Sequence, residues 1–125
     1  MFIRERDKTQ PVEWGNGLSY RMLVAADRLG FTVCHTIVEA GSKSKLEYRR
    51  HLEACYCIAG SGRVEAADGS VGYDIRPGVL YALDEHDAHY LVADPGRDLE
   101  LISVFNPPLR GDERHNLASD SFSQY

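Results

Sequence analysis

Hydrophobic and polar residues alternate in short runs between Leu18 and Pro107, and almost no stretch of about ten residues has helical spacing. Turn-forming residues separate the runs, and Asp68-Gly69 suits a tight hairpin because both residues tolerate positive φ. The pattern therefore predicts β-strands along most of the chain. The predicted strands are Leu18–Ala26, Phe31–Glu39, Lys45–Arg50, Glu53–Ala59, Gly62–Ala67, Val71–Ile75, Val79–Leu83, His89–Val92 and Leu99–Phe105.

About nine strands in so short a chain favour a β-sandwich or a closed barrel, either of which leaves few strand edges exposed. At 125 residues the chain is long enough to form one hydrophobic core without disulfides. We expect a single all-β domain over residues 1–125, with its core over about residues 12–115. The last residues are polar, so 116–125 are expected to form a mobile tail.

Charge and cysteine content limit the classes of function. The net charge of -5 is spread along the chain without a basic cluster, so neither nucleic acid nor an anionic membrane is an expected partner. Cys34, Cys55 and Cys57 are an odd number of cysteines, and no apolar stretch resembles a signal peptide or a membrane span. These features predict a reduced, cytoplasmic protein, whose partners would be small molecules or proteins.

One motif begins at Gly41 and has the spacing G-x5-E-x-R-x3-E-x6-G, ending at Gly60. This is the spacing of the first cupin motif, in which histidines commonly occupy the positions of Glu47 and Arg49. Glu53 matches the glutamate that such sites contribute to a metal. We interpret Glu47 and Arg49 as bystanders and Glu53 as the ligand candidate of this segment.

The second motif is "IRPGVLYALDEH", where a Pro77-Gly78 turn precedes Tyr81 in the place of a cupin histidine. His89 follows eight residues after Tyr81, beyond a short turn. With Glu53, these residues supply two oxygen ligands and one nitrogen ligand, a set that suits Fe(II), Mn(II) or Zn(II). Three protein ligands leave coordination positions open, as a catalytic metal requires.

Each of these residues also has a simpler structural interpretation. Glu53 at the start of a strand could be a solvated charge, Tyr81 a core residue and His89 a half-buried histidine. Cys55 and Cys57 in an apolar strand are more typical of a core than of a soft-metal site. His86, in the acidic turn "LDEHD", is expected to be a solvent-facing loop residue. Only the combined spacing of the two motifs favours the metal site.

Three longer segments narrow the interpretation: "YRRHLEACYCIAGSGRVE", "RPGVLYALDEHDAHYL" and "VFNPPLRGDERH". In this order they resemble ectoine synthase, from about Val12 to His115. The resemblance implies a single-domain cupin, a small β-barrel that is usually homodimeric, with iron bound by Glu53, Tyr81 and His89. It also implies the hydro-lyase reaction that closes N4-acetyl-L-2,4-diaminobutyrate into ectoine, a compatible solute made under osmotic stress. Zn(II) and Mn(II) remain alternatives to Fe(II).

The resemblance extends to residues around the substrate. Arg21 and Thr36 are candidates to hold the substrate carboxylate, since an arginine can bind a carboxylate through two N–H groups. His51, Leu83 and Phe105 correspond to further substrate-binding residues. The general acid or base is expected among Tyr48, Glu113 and His115, which the sequence does not rank. Many family members carry a tryptophan where this chain has Gly17, and nearby Trp14 is a candidate to fill that space.

Other functions stay open at this stage. A non-catalytic cupin could bind a solute or metabolite without turnover. Another metal-dependent cupin enzyme, such as an oxygenase, would consume oxygen, whereas a hydro-lyase would not. A related activity, such as hydrolysis of ectoine or cyclisation of a similar amino acid, would use the same residues.

Overall fold

A computed structural model of the chain describes residues 1–118 and 121–125. Strands dominate the fold, and the only helical segments among these residues are two short 3-10 turns, Arg6–Lys8 and Ala25–Asp27. The prediction of an all-β fold is confirmed. The strands are β1 Val12–Glu13, β2 Gly17–Leu23, β3 Thr32–Val38, β4 Lys43–Glu47, β5 Leu52–Ala59, β6 Gly62–Ala66, β7 Gly72–Ile75, β8 Leu80–Leu83, β9 His89–Ala93, β10 Leu99–Asn106 and β11 Ser123–Gln124.

The strands form two sheets. One has six strands in the order β1-β2-β3-β10-β5-β8, and the other has five in the order β11-β4-β9-β6-β7. All pairs are antiparallel except β11 with β4. Strands β7 and β8 each end a sheet at the same side of the molecule, so a cleft opens between these two edges.

Alternation along β5 and β10 sets the inner face of the six-stranded sheet. Glu53, Cys55 and Cys57 are buried on β5, and Ser103 and Phe105 are buried on β10. Because side chains of a strand alternate between faces, the intervening residues point outward. The interior therefore contains polar groups as well as apolar ones, and these polar groups mark the site.

The boundaries of two strands, β2 and β4, differ from the predicted runs by more than one residue. Strand β2 ends at Leu23, because Ala25–Asp27 turns and the Ala25 N–H donates to the Leu109 carbonyl. Strand β4 lies two residues earlier than predicted, and it ends at Glu47 before a turn at Arg49 and Arg50. Both differences reflect contacts with distant residues, which the local pattern does not contain.

Part of the predicted mobile tail pairs with β4 in the structure. Ser123 and Gln124 pair with Leu46 and Glu47 of β4, and Ser123 is buried. Tyr125 follows this pairing and packs against aromatic residues of the interior. Residues 119 and 120 of the predicted tail lie outside the described residues. In the described part of the chain, no helix is long and apolar enough to span a membrane.

Candidate active site

The site is a small cavity of about 30 Å³ between the two sheets. Six of the residues singled out from the sequence line it: Arg21, Thr36, Tyr48, Glu53, Tyr81 and Phe105. The other lining residues are Trp14, Ser19, Leu46, Cys55, Leu91, Leu101, Ser103 and Tyr125. The cavity thus joins a buried guanidinium, a buried carboxylate and phenol groups.

Glu53 is a buried carboxyl group and not the solvated charge of the simpler interpretation, since only 7% of the residue is exposed. Burial raises the pKa of Glu53 to about 8, and a hydrogen bond with Cys55 opposes this shift only in part. A buried carboxylate without a cation is costly. Glu53 is therefore suited to a positively charged ligand.

Tyr81 lies opposite Cys55 in the pairing of β5 with β8, and it is buried. Burial is the main reason that the pKa of Tyr81 is raised well above its usual value, and Cys55 and Glu53 add to the shift. The Cys55 thiol is hydrogen-bonded with both Glu53 and Tyr81, and its sulfur lies 3.5 Å from the Ser103 hydroxyl oxygen. Cys55 thus links the two oxygen-ligand candidates.

His89 is 1% exposed. Its Nδ1 atom lies 2.8 Å from the Asp87 carbonyl oxygen and must donate the hydrogen bond, because a carbonyl only accepts. Burial lowers the pKa of His89, so the ring is neutral and Nε2 carries a lone pair. That Nε2 atom is buried and has no hydrogen-bond partner. This is the orientation in which histidines bind metals.

These residues fit a metal ion by their chemistry. The lone pair of His89, the carboxylate of Glu53 and the phenol of Tyr81 form the O/O/N set expected from the sequence. Within residues 1–118 and 121–125, no three His, Cys, Asp or Glu side chains group to hold a metal. A site built by this part of the chain therefore needs the phenol of Tyr81 among its ligands.

Glu47 and Arg49, at the positions of the missing cupin histidines, lie away from the cavity. The Arg49 Nε atom is 3.2 Å from a Glu47 carboxylate oxygen, and the Arg49 side chain is 64% exposed. They form an ion pair with each other and do not line the cavity.

The three acid–base candidates occupy different positions. Tyr48 lines the cavity, and its hydroxyl lies 3.1 Å from His115 Nε2, which is behind it. Burial, followed by the nearby Glu53, raises the pKa of Tyr48 well above its usual value, so the phenol keeps its proton. Burial is also the main cause that lowers the pKa of His115 to about 3. Tyr48 and His115 form a neutral pair.

Glu113, the third candidate, is bound to the backbone of its own loop. Its carboxylate accepts hydrogen bonds from the backbone N–H groups of Arg110 and Gly111, each at 2.9 Å. Burial alone would raise the pKa of Glu113, but these two bonds and Arg21 hold it below the usual value. The group is ionised, fixed in its loop and does not line the cavity.

Arg21 is a buried cation. Its Nε donates to the Ser19 hydroxyl at 2.8 Å, and Nη2 donates to the Glu113 carbonyl oxygen at 2.9 Å. Nη2 also donates to the Tyr125 hydroxyl at 3.1 Å, whereas buried Nη1 has no hydrogen-bond partner and lies 3.6 Å from a Glu113 oxygen. An arginine with an unsatisfied N–H group is suited to an anion.

Two predicted substrate-binding residues do not reach the cavity. His51 uses Nδ1 to donate to the Pro107 carbonyl oxygen at 2.7 Å, which ties the loop after β4 to the end of β10. Leu83 is buried opposite Glu53 and faces the cleft between β7 and β8. This cleft has a volume of about 720 Å³ and also reaches Tyr81 and His89. It is larger than the inner cavity, but neither Arg21 nor Glu53 lines it.

Sequence reasoning missed several lining residues. Ser103 shares a face with Phe105 on β10 and lies 2.9 Å from the Thr36 hydroxyl, so alternation along β10 would have found it. The sequence favoured a core position for Cys55. Cys55 is two residues after Glu53 on β5, so alternation also places the two side chains on the same face. His86 is an exposed loop residue, as expected, and its Nδ1 atom also lies 2.8 and 3.0 Å from the Tyr48 and His51 carbonyl oxygens. No signal in the sequence pointed to Tyr125.

Gly17 and Trp14 both lie against the carbonyl group of Ile37. Gly17 has a φ of +148°, and a Cβ atom there would overlap the Ile37 carbonyl oxygen. The same carbonyl accepts a hydrogen bond at 3.0 Å from Trp14 Nε1, and Trp14 lines the cavity. The indole therefore reaches the site from three residues earlier, as the sequence suggested.

Comparison with known proteins identifies L-ectoine synthases among the relatives of this chain. A family model described as ectoine synthase matches residues 3–122. An L-ectoine synthase of Wolinella succinogenes is 45% identical over 102 residues, which are 82% of this chain and 76% of the relative. An L-ectoine synthase of Halalkalibacterium halodurans is 42% identical over 107 residues, covering 86% of this chain and 81% of the relative.

Solved structures agree with the sequence relatives. The crystal structure of ectoine synthase from P. lautus matches with a TM-score of 0.83 and 36% identity, covering 89% of this chain and 81% of that chain. An RmlC-like cupin from Shewanella frigidimarina has a TM-score of 0.69 at 18% identity, covering 86% of this chain and 91% of that chain. The second likeness shows the fold alone, and it confirms the predicted cupin architecture. Since the family model spans nearly the whole chain, the protein belongs to the ectoine synthase family.

Proposed function

We propose that this protein is an ectoine synthase, a carbon–oxygen hydro-lyase that cyclises N4-acetyl-L-2,4-diaminobutyrate with loss of water. The observation that carries the proposal is the unpaired, buried Nε2 atom of His89, next to Tyr81 in the cleft, with Tyr81 also lining the inner cavity that contains the buried carboxyl group of Glu53. Such a lone pair and such a carboxylate are stable together when a cation joins them. Family membership supplies the substrate.

The metal would be held by Glu53, Tyr81 and His89, with Fe(II) expected and Zn(II) or Mn(II) as alternatives. When bound, it would act as a Lewis acid that polarises the acetamide carbonyl, which is otherwise a poor electrophile. Cys55 would hold the Glu53 and Tyr81 side chains in place through its hydrogen bonds. Outer contacts of this kind orient ligands and affect metal affinity.

Arg21 would bind the substrate carboxylate. Its Nη1 group has no hydrogen-bond partner, and a carboxylate can accept from both terminal nitrogens of a guanidinium. The hydroxyls of Thr36 and Ser103, 2.9 Å apart in the same cavity, would orient the rest of the chain of the substrate. Folding the substrate so that its amine meets its own carbonyl is the positioning part of the catalysis.

In the chemical step, the α-amine forms a bond to the acetamide carbon. Both N–H protons of the free amine leave with the carbonyl oxygen as water, and a C=N bond closes the ring. Tyr48 is protonated and lines the cavity, so it would donate a proton to the departing oxygen. His115, neutral and 3.1 Å from that hydroxyl, would orient the Tyr48 phenol, and a proton released by the amine would restore the phenol after it has donated.

We further propose a homodimer that works in the cytoplasm and makes a compatible solute under osmotic stress. The outer face of β5, β8 and β10 exposes several apolar side chains, which supports association with a second copy. They are Leu52, Tyr56, Ile58, Leu80 and Val104. The three cysteines are free and buried, which suits a reducing compartment. Light scattering of wild type and Tyr56→Lys would test the dimer, since a charge on this face should produce monomers.

The test of function is incubation of Fe(II)-loaded protein with N4-acetyl-L-2,4-diaminobutyrate without oxygen, followed by chromatography for ectoine. We expect product from wild type and none above background from Glu53→Ala. Binding of the compound without product would favour a non-catalytic cupin. A strict requirement for oxygen would favour an oxygenase, and either result would overturn the proposal.

A further inference from the structure

We propose that Tyr125 is a plug that occupies the place of the substrate carboxylate, so that substrate binds only after Tyr125 leaves. This inference rests on the proposed function, because it names a competitor for the same site. It follows from the contacts of Tyr125, the bonding of Arg21 and the volume that remains.

Tyr125 is held by a hydrogen bond and a cation–π contact with Arg21 and by contacts with aromatic rings of the interior. Its ring stacks on His115 with 4.0 Å between centroids, and it lies 5.1 Å from the Tyr48 ring. The preceding residues, Ser123 and Gln124, add a two-residue parallel ladder to β4. Tyr125 itself is only half-buried. A segment with so short a ladder opens at low free-energy cost.

Arg21 connects the plug to the substrate. Its Nη2 atom donates to the Tyr125 hydroxyl at 3.1 Å, and its buried Nη1 atom has no hydrogen-bond partner. The neutral phenol contacts Nη2 alone, and the Glu113 carboxylate lies 3.6 Å from Nη1 without a hydrogen bond. A carboxylate in the same place would accept from both nitrogens through stronger, charge-assisted bonds. The exchange of phenol for carboxylate is therefore favourable at Arg21.

The volume of the cavity excludes simultaneous occupancy. About 30 Å³ remain beside Tyr125, which is room for one or two water molecules. An acetylated diamino acid needs several times that volume. The larger cleft between β7 and β8 does not relieve this conflict, because Arg21 does not line it. A substrate whose carboxylate is bound to Arg21 must take the space of Tyr125.

The plug raises the apparent KM in inverse proportion to the fraction of molecules that are open. If Tyr125 is inserted in about 90 to 99% of molecules, its removal should tighten apparent binding about 10- to 100-fold. The chemical step should be nearly unchanged, since it starts from the open state in both proteins. A lid that closes over bound substrate would behave in the opposite way, because its loss weakens binding.

The experiment compares steady-state kinetics of Fe(II)-loaded wild type, Tyr125→Ala, Tyr125→Phe and the control Gln124→Ala, whose side chain is exposed on the same strand. We expect Tyr125→Ala to lower KM at least fivefold with kcat within about twofold. Tyr125→Phe, which keeps the ring and loses the hydrogen bond to Arg21, should lie between. Gln124→Ala should match wild type. An unchanged or increased KM in both Tyr125 variants overturns the plug.

Thermal unfolding of each variant shows whether it is folded, and only the kinetics of folded variants are compared. If Tyr125→Ala does not fold, Tyr125→Phe alone decides, and a KM equal to that of wild type overturns the inference. Calorimetric titration of metal-free protein with N4-acetyl-L-2,4-diaminobutyrate provides a readout without turnover, and the same order of affinities is expected. If no protein binds or converts this compound, the proposed function fails. If wild type converts it and the variants do so with equal KM, only the plug fails.

Discussion

Acid should destabilise the fold through His115, which is 8% exposed and packed inside the barrel. Its Nε2 atom lies 3.1 Å from the Tyr48 hydroxyl, Nδ1 lies 2.9 Å from the Ser123 hydroxyl, and Tyr125 stacks on the ring. None of these partners is a carboxylate that would favour the charged imidazolium. Lowering the pH from 7 to 5 is the perturbation that tests this environment.

The size of the effect follows from the pKa. Burial first, and then repulsion by His89 in its protonated form and by Arg21, lower the pKa of His115 from 6.5 in the unfolded chain to about 3. Because the unfolded chain binds the proton more tightly, stability is full above about pH 6.5 and is lost as the pH falls towards 3. At pH 5 the loss is about 2 kcal/mol, taking about 1.4 kcal/mol for each unit below 6.5.

The assay is urea unfolding of metal-free protein at pH 7, 6 and 5, for wild type and His115→Gln. The variant lacks the titrating ring and should lose about 2 kcal/mol less than wild type between pH 7 and 5. Other groups that titrate in this range, such as His89, act in both proteins and cancel in the comparison. Equal losses in wild type and variant would refute the reasoning, because His115 would then be protonated in the folded protein.

Three other changes test separate parts of the site. Tyr48→Phe keeps the ring packing and removes the proton donor, so kcat should fall about 100-fold or more while KM changes little; an unchanged kcat would exclude Tyr48 as the acid. Cys55→Ala should weaken metal binding about 10- to 100-fold in a chelator competition, whereas Cys34→Ala, on another strand, should not. Gly17→Ala should lower the free energy of unfolding by several kcal/mol, because its Cβ meets the Ile37 carbonyl; Gly30→Ala, which has positive φ but open space, should lose only about 1 kcal/mol.

The strands could be predicted because each buries one face. Alternation along β5 and β10 is set by the core, so the positions of Glu53, Cys55 and Phe105 on the inner face follow from the sequence. The end of β2 did not follow, since the turn after it depends on a hydrogen bond with Leu109. Local patterns predict what local burial dictates, and distant contacts move the boundaries.

The site was predictable to a similar degree. The motif spacing brought Glu53, Tyr81 and His89 forward as ligand candidates, and all three are buried, Glu53 beside the inner cavity, His89 beside the cleft and Tyr81 beside both. The spacing could not show that His89 Nε2 lacks a partner, because that depends on the Asp87 carbonyl holding Nδ1. The position of Tyr125 in the site could not be predicted from the sequence for the same reason. Its position depends on Arg21 and His115, which are distant in the chain.

The central claim is that Glu53, Tyr81 and His89 hold the metal on which cyclisation depends. The most direct test is the rate of ectoine formation while Fe(II) is titrated, without oxygen, into metal-free protein. The account predicts a rate that rises from background and saturates at one ion per chain in wild type and Arg49→Ala, with no rise in Glu53→Ala. A full rate in the presence of chelator, or a metal-dependent rate in Glu53→Ala equal to that of wild type, would contradict it.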